Sequence, residues 1–327
     1  MIRFLAAPGT ATATEAMSSS VSDVCRDMLF GAATHDILAD FLVNLNRKNK
    51  EHLRNVLGHS GSFKERKLVE YIFLVCQELR LDLFTGYQAL EILERYMTKL
   101  LEGLLSMPAQ GREESLGSIL TKLRERFTLT VFTSIQLASK LALHCRFIDN
   151  NTAVRFLHQM GYNYTKEALL ESEIHILKTL DFCINFQNPL TYVEVLMEVL
   201  GYNDSRVPVP RLYTICQQVL QFVYLQRNLI YDHLLVSVTE SLSPTQEQRS
   251  RAKFVTVKED CMLLAAGVIA TGAFILSFTS WDQIVDELSS ITAISGQSIV
   301  DFAYVILKQI RGNETPIESL FTEKEVL

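Results

Sequence analysis

Two stretches of this chain carry no charged residue, and each is long enough to form a helix. They cover residues 127–139 (FTLTVFTSIQLAS) and 261–281 (CMLLAAGVIATGAFILSFTSW). The second has the length of a membrane span. Its Gly267, Thr271, Gly272, Ser277, Thr279 and Ser280 dilute the hydrophobicity, and small residues on one helical face permit close approach. The stretch therefore reads as a helix enclosed by other helices, which need small residues to pack closely.

The first stretch lies about 130 positions earlier and is also rich in small residues, so an internal repeat is the decisive question. Downstream of each comes a helix with a polar N-cap. Thr165-Lys166-Glu167-Ala168-Leu169-Leu170-Glu171 leads to Ile176-Leu177-Lys178-Thr179-Leu180. At a shift of 130, Ser295-Gly296-Gln297-Ser298-Ile299-Val300-Asp301 leads to Ile306-Leu307-Lys308-Gln309-Ile310. Shorter helices are expected near 152–160 and 281–290. Upstream, apolar periodicity predicts helices over 66–80 and 86–104 in the first copy, and over 209–225 and 229–240 in the second. The chain reads as two five-helix units, each around an uncharged central helix.

Composition agrees with long elements and few turns. The 14 glycines and 7 prolines among 327 residues are about half the usual share of roughly 12%. Hydrophobic residues make up 48%, enough for a real core. The net charge of −6 and the absence of a basic face argue against autonomous nucleic-acid binding, which draws its affinity from counterion release. Small basic groups at 47–50, 64–67, 122–126 and 249–253 read as solvated faces or loops. The six cysteines, Cys25, Cys76, Cys145, Cys183, Cys216 and Cys261, stand at neither zinc nor redox spacing and read as reduced core residues.

The expected organisation is a tail with a leading helix near 36–57 in residues 1–60, a first unit at 61–200, a second at 205–312 and a tail at 313–327. Residues 1–20 have no acid before Glu15, and their apolar stretch is too short for a secretory signal. The break at 201–210 (GYNDSRVPVP) is turn-rich. Polar insertions at 106–117 and 241–256 read as loops. Ser243-Pro244 and Thr315-Pro316 are minimal proline-directed phosphorylation sites.

Leu68-Val69-Glu70-Tyr71, Ala89-Leu90-Glu91-Ile92-Leu93-Glu94-Arg95-Tyr96, Leu137-Ala138-Ser139-Lys140 and Leu177-Lys178-Thr179-Leu180-Asp181-Phe182 together resemble the cyclin family. The resemblance covers about residues 60–312 and is stronger in the first unit. It implies an all-α fold of tandem five-helix cyclin boxes, each around a buried central helix. It also implies a partner surface in which Lys140 and Glu173 form a polar pair, Leu141 lies beside it, and Phe182 and Ile184 continue its apolar part. Independently of the resemblance, Lys140 is the first charge after thirteen uncharged residues, where the buried helix emerges. The second unit has Gly272 or an apolar neighbour near the Lys position and Ala303 in place of Glu173, as expected for a partner site kept in one copy.

Two departures shape the expected function. Leu141-Ala142-Leu143 replaces the aromatic residue and two acids that follow this motif in typical cyclins, so the kinase-facing edge is less acidic. The substrate-docking motif, usually Met-Arg-Ala-Ile-Leu, is Lys64-Glu65-Arg66-Lys67-Leu68, with Arg66 the one substitute partner for Glu94. No phosphate loop, metal-ligand motif or other cofactor motif occurs, and Gly58-His59-Ser60-Gly61 is only a superficial nucleophile elbow. His144 reads as structural or exposed.

The resemblance implies a non-catalytic regulator of a cyclin-dependent kinase, nuclear and chromosome-associated, promoting maturation of crossover intermediates in meiotic recombination. The alternative is a kinase-independent scaffold bridging recombination or clamp-loader proteins. A transcription-factor IIB-like core shares the tandem fold, but the charge balance argues against its DNA role.

Overall fold

The computed structural model describes residues 30–31, 33–106, 112–142, 147–186, 188–239, 245–276 and 281–312. His144, Cys25, Cys145, Ser243-Pro244 and Thr315-Pro316 lie outside them. All regular structure among the described residues is helical. The order is α1 (His35–Arg54), α2 (Arg66–Glu78), α3 (Leu83–Leu105), α4 (Arg112–Leu141), α5 (Asn150–Gln159), α6 (Lys166–Thr179) and α7 (Pro189–Asn203). There follow α8 (Val209–Leu225), α9 (Arg227–Thr239), α10 (Gln246–Ser250), α11 (Ala252–Glu259), α12 (Cys261–Ile275), α13 (Trp281–Thr292) and α14 (Gly296–Arg311).

Most boundaries follow local chemistry. Asp82, Asp149, Thr165, Asn188 and Ser295 stand in extended backbone before their helices, and each side chain accepts a first-turn N–H. Asp260 does the same for α12, accepting from Met262 and Leu263. The first bundle, α2–α6, closes around α4, whose Phe132 and Ile135 meet Val69, Ile72, Leu90, Leu93, Leu157 and Ile176 in one core. In the charge-free half of α4, Thr130, Thr133 and Ser134 each donate to the carbonyl four residues earlier, so these hydroxyls are satisfied within the helix.

The second charge-free stretch becomes α12, and its middle is sealed on all sides, with Ala265, Ala266, Val268, Ile269 and Ala270 fully buried. No described helix is long and apolar enough to cross a membrane. The small residues serve close approach, as expected. A Cβ at Gly267 would overlap the Phe302 ring of α14, and one at Gly272 would stand 3.1 Å from both Cys216 and Leu212 of α8. Gly267→Val is therefore expected to wedge α12 from α14 and cost about 1–3 kcal/mol. That should appear as a midpoint lowered by several degrees in thermal denaturation; an unchanged midpoint would refute this packing.

Several expectations need correction. The helix Pro189–Asn203 packs against α8, α12 and α13, and only lightly against α3. It opens the second bundle, which comprises α7, α8, α12, α13 and α14, so the turn-rich 201–210 joins two helices of one unit. The junction between the units lies earlier, between α6 and Asn188. The helix expected at 229–240 forms as α9 but is an addition lying against α14. Neither insertion is wholly a loop: α4 begins at Arg112, and α10 and α11 occupy much of 245–259.

The leading helix α1 lies against α7 and α12 of the second bundle, with Leu38 and Leu45 inward. The chain before it is held as well. Phe30 meets Tyr213 edge-on at 5.1 Å, and Glu198 accepts the amides of Gly31 and Ala33.

Candidate functional site

Lys140 is the last charged position of α4, immediately after the buried Ser139. The chain leaving α4 is tied back to the helix. Ile148 N–H donates to Ser139 Oγ at 3.1 Å, and Gln136 Nε2 donates to the Ile148 carbonyl at 3.1 Å and to Asn150 Oδ1 at 2.7 Å. This tether fixes the direction of the exit beside Lys140 and leaves Phe147 exposed.

Across from α4, helix α6 brings Glu173 to meet Lys140. Lys140 Nζ stands 2.6 Å from Glu173 Oε1. Glu173 Oε2 is buried and has no hydrogen-bond partner among the described residues. A buried carboxylate oxygen without a partner is costly, so the pair with Lys140 is what holds this side chain in place. Leu170 and Ile174, one turn apart on α6, are exposed beside it.

The end of α6 carries the apolar surface further. Phe182 N–H reaches back to Leu177 O at 2.8 Å and Asp181 N–H to Lys178 O at 3.2 Å, a Schellman closure built without glycine. Asp181 and Phe182 both adopt left-handed backbone, at φ 51° and 60°. For a bulky phenylalanine this costs about 1 kcal/mol or more, and such strain clusters at functional sites. Lys99 holds the corner through Asp181 at 2.5 Å, and Phe182 projects outward with 67% of its surface exposed.

Lys140 and Glu173 are thus paired and Phe182 is presented to solvent. Leu141 and Ile184 instead sit half-buried against the core, and the Ile184 carbonyl accepts from Gln88 Nε2 at 2.9 Å. In the second bundle the equivalent place is closed. Ala303 is fully buried, Gly272 is pressed against α8, and Trp281 Nε1 donates to the Ala270 carbonyl at 2.9 Å. Cys183, beside Phe182, is exposed rather than a core cysteine, whereas Cys76 and Cys216 are buried. It follows strained backbone that turns the chain out of the helix.

The larger surprise lies between the bundles. Lys64, expected on a solvated face, is buried with its Nζ 2.8 Å from Glu91 Oε1 and 3.0 Å from Glu259 Oε2. Arg227 donates to Glu259 Oε1 at 2.6 Å and to the Lys258 carbonyl at 2.6 Å. Glu94 makes no pair with Arg66: its carboxylate accepts the amides of Gly61 and Phe63 at 2.6 and 2.9 Å. Gly61 has φ 81°, and any Cβ there would collide with the Glu259 carboxylate. The α1–α2 connection therefore plugs the junction of α3, α9 and α11.

The electrostatics follow from burial and pairing. Burial opposes the Glu259 charge, but Lys64 and Arg227 outweigh it and hold the carboxyl well below its usual range. Glu91 is likewise lowered, burial being overcome by Lys64 and then Arg95. Glu94 goes the other way, raised by burial more than Lys64 lowers it. The sequence signal for this cluster was present in Glu91 and Glu94, which share the inward face of α3 with Tyr87, Leu90 and Met97. Their partner from residue 259 could not be paired by spacing alone.

The altered substrate-docking motif of the sequence thus lies in the junction rather than on an open surface. With Lys64 turned inward and Leu68 buried, a short Arg-x-Leu peptide should show no binding below about 100 μM in fluorescence polarisation. Micromolar binding that disappears in Leu68→Ala would contradict this.

The family model for the cyclin N-terminal domain matches residues 38–185. The mouse (Mus musculus) cyclin N-terminal domain-containing protein 1 is 41% identical over 298 residues, covering 89% of this chain and 89% of its own length. The human (Homo sapiens) protein of the same name is 42% identical over 296 residues, again covering 89% of each chain.

Proposed function

This chain belongs to the cyclin family, and from that premise we propose that it is a non-catalytic regulator that docks a cyclin-dependent kinase on the surface formed by α4 and α6. The observation that carries this reading is the Lys140–Glu173 pair, kept in the first bundle only, with an unpartnered carboxylate oxygen and exposed Phe182, Leu170 and Ile174 around it. Lys140 offers donors and Glu173 an acceptor to a partner's backbone, and the apolar side chains gain by being covered, at about 25 cal/mol per Å² of apolar surface. The setting we propose is the nucleus, on meiotic chromosomes, where the protein promotes maturation of crossover intermediates. Co-expression with cyclin-dependent kinases should recover a stoichiometric complex by size-exclusion chromatography. Failure of every kinase tried to co-elute would reject the docking reading.

A second reading is a kinase-independent scaffold that bridges recombination or clamp-loader proteins. The half-buried Leu141 and Ala142 favour it, because they supply none of the acids with which typical cyclins meet a kinase at that edge. Recovery of such proteins from meiotic cells, with no kinase in the complex, would select this reading over the first.

A further inference from the structure

One shallow depression is lined by Asn151, Val154, Arg155, His158, Gln159 and Lys166. Five of the six side chains can donate hydrogen bonds, and none is a carboxylate. Positions 151, 155, 158 and 159 share the outward face of α5, while Ala153 and Leu157 anchor the opposite face in the core. Lys166 is contributed by the first turn of α6. The donors are therefore carried by helices rather than by a mobile loop.

The neighbouring acids serve first as caps: Asp149 accepts the Thr152 amide at 2.8 Å at the start of α5, and Glu167 is bonded to its own backbone amide and to Thr165. Arg155 and Lys166 also act on the Asp149 charge, but through space rather than through a direct ion pair. Among the described residues, no ion pair involves Arg155, His158 or Lys166. Such a concavity suits a ligand that brings negative charge and several acceptor oxygens together. A phosphate monoester carries three such oxygens and close to two charges at neutral pH, and Arg can meet it with two parallel donors.

We propose that this face of α5 docks a phosphorylated serine or threonine in an extended segment of a partner protein. A nucleic-acid backbone is the poorer fit: the chain has net charge −6, and one isolated cationic depression releases few counterions. Its lining residues do not include Lys140, Glu173 or Phe182, so different variants test the two sites and they can fail separately.

The test is an amide chemical-shift titration of the full chain with the peptide Ala-Gly-pThr-Gly-Ala, its unphosphorylated form and inorganic phosphate. The phosphopeptide should shift amides of α5 and the first turn of α6, the unphosphorylated peptide should not, and inorganic phosphate should bind at least 10-fold more weakly. Arg155→Ala with Lys166→Ala should weaken the phosphopeptide by at least 10-fold, while Lys140→Glu leaves it unchanged. The inference is overturned if both peptides behave alike, or if the double variant binds as well as the parent. Equal affinity for inorganic phosphate would reduce the depression to a free-anion site and also overturn it. Displacement of the phosphopeptide by a short DNA duplex at lower concentration would assign the face to nucleic acid instead.

Discussion

Lys64→Met is expected to destabilise the fold by about 3–5 kcal/mol, measured as a lower urea midpoint at pH 7. Methionine is unbranched and flexible like lysine, and the family motif that Lys64 aligns with usually has methionine there, so the loss is expected to be electrostatic rather than steric. Without the ammonium, Glu91 is left facing Arg95 at 3.9 Å and Glu259 facing Arg227 at 2.6 Å. Removing one member of a buried ionic group leaves the others desolvated and unpaired, which costs more than the group gained by forming. Adding Glu259→Gln to Lys64→Met should recover part of the loss, because the coupling between the two residues is then absent from both arms of the cycle.

The pH dependence has a definite sign. Glu259 and Glu91 titrate lower in the fold than in the unfolded chain, so their contribution is present above about pH 4.3 and is lost as pH falls through the folded values. Lys64 is raised, burial being outweighed by Glu259 and Glu91, so its contribution is complete below about pH 10.4 and fades only in stronger base. Glu94, raised by burial, opposes the acid limb slightly. The contribution of this cluster should be level between these limits and fall in acid, and the gap between parent and Lys64→Met should shrink toward pH 3. A Lys64→Met protein as stable as the parent at pH 7 would show that the junction is not held by these charges.

This cluster also marks where sequence reasoning stops. The central helices were legible because an uncharged run with small residues has few alternatives, and α12 came out sealed as its composition requires. The N-caps were legible because Asp, Asn, Thr and Ser stand in front of periodic runs. Lys140 and Glu173 were legible as a pair through their place in the repeat and the family resemblance. The unit boundary was misplaced because Pro208 and Pro210 signal a break with equal force inside a bundle or between two. Lys64 was misplaced because a lysine among charged neighbours looks solvated, and only the three-dimensional approach of residues 91 and 259 takes it inward. Phe182 shows the opposite limit: nothing in the local sequence requires two left-handed residues without glycine, and the capping bond to the Leu177 carbonyl together with the Lys99–Asp181 ion pair holds them there.

The second large effect concerns binding. Lys140→Glu and Glu173→Lys, each alone, place like charges 2.6 Å apart in a half-buried site and present the wrong polarity to a partner. Each should weaken kinase association by about 100-fold, the scale for disrupting a hydrogen-bonded charge pair at an interface. Phe182→Ala should add a separate loss while relieving no strain, because alanine is also unfavourable in the left-handed region.

The decisive variant combines Lys140→Glu with Glu173→Lys. It restores an attractive pair within the protein but exchanges donor and acceptor as seen by a partner. Titration calorimetry of this double variant against the co-purifying kinase, with urea midpoints as the folding control, should find near-parental stability and binding still weakened by about 100-fold. Parental affinity in the double variant would mean that the pair only braces α4 against α6, and would contradict kinase docking on this surface.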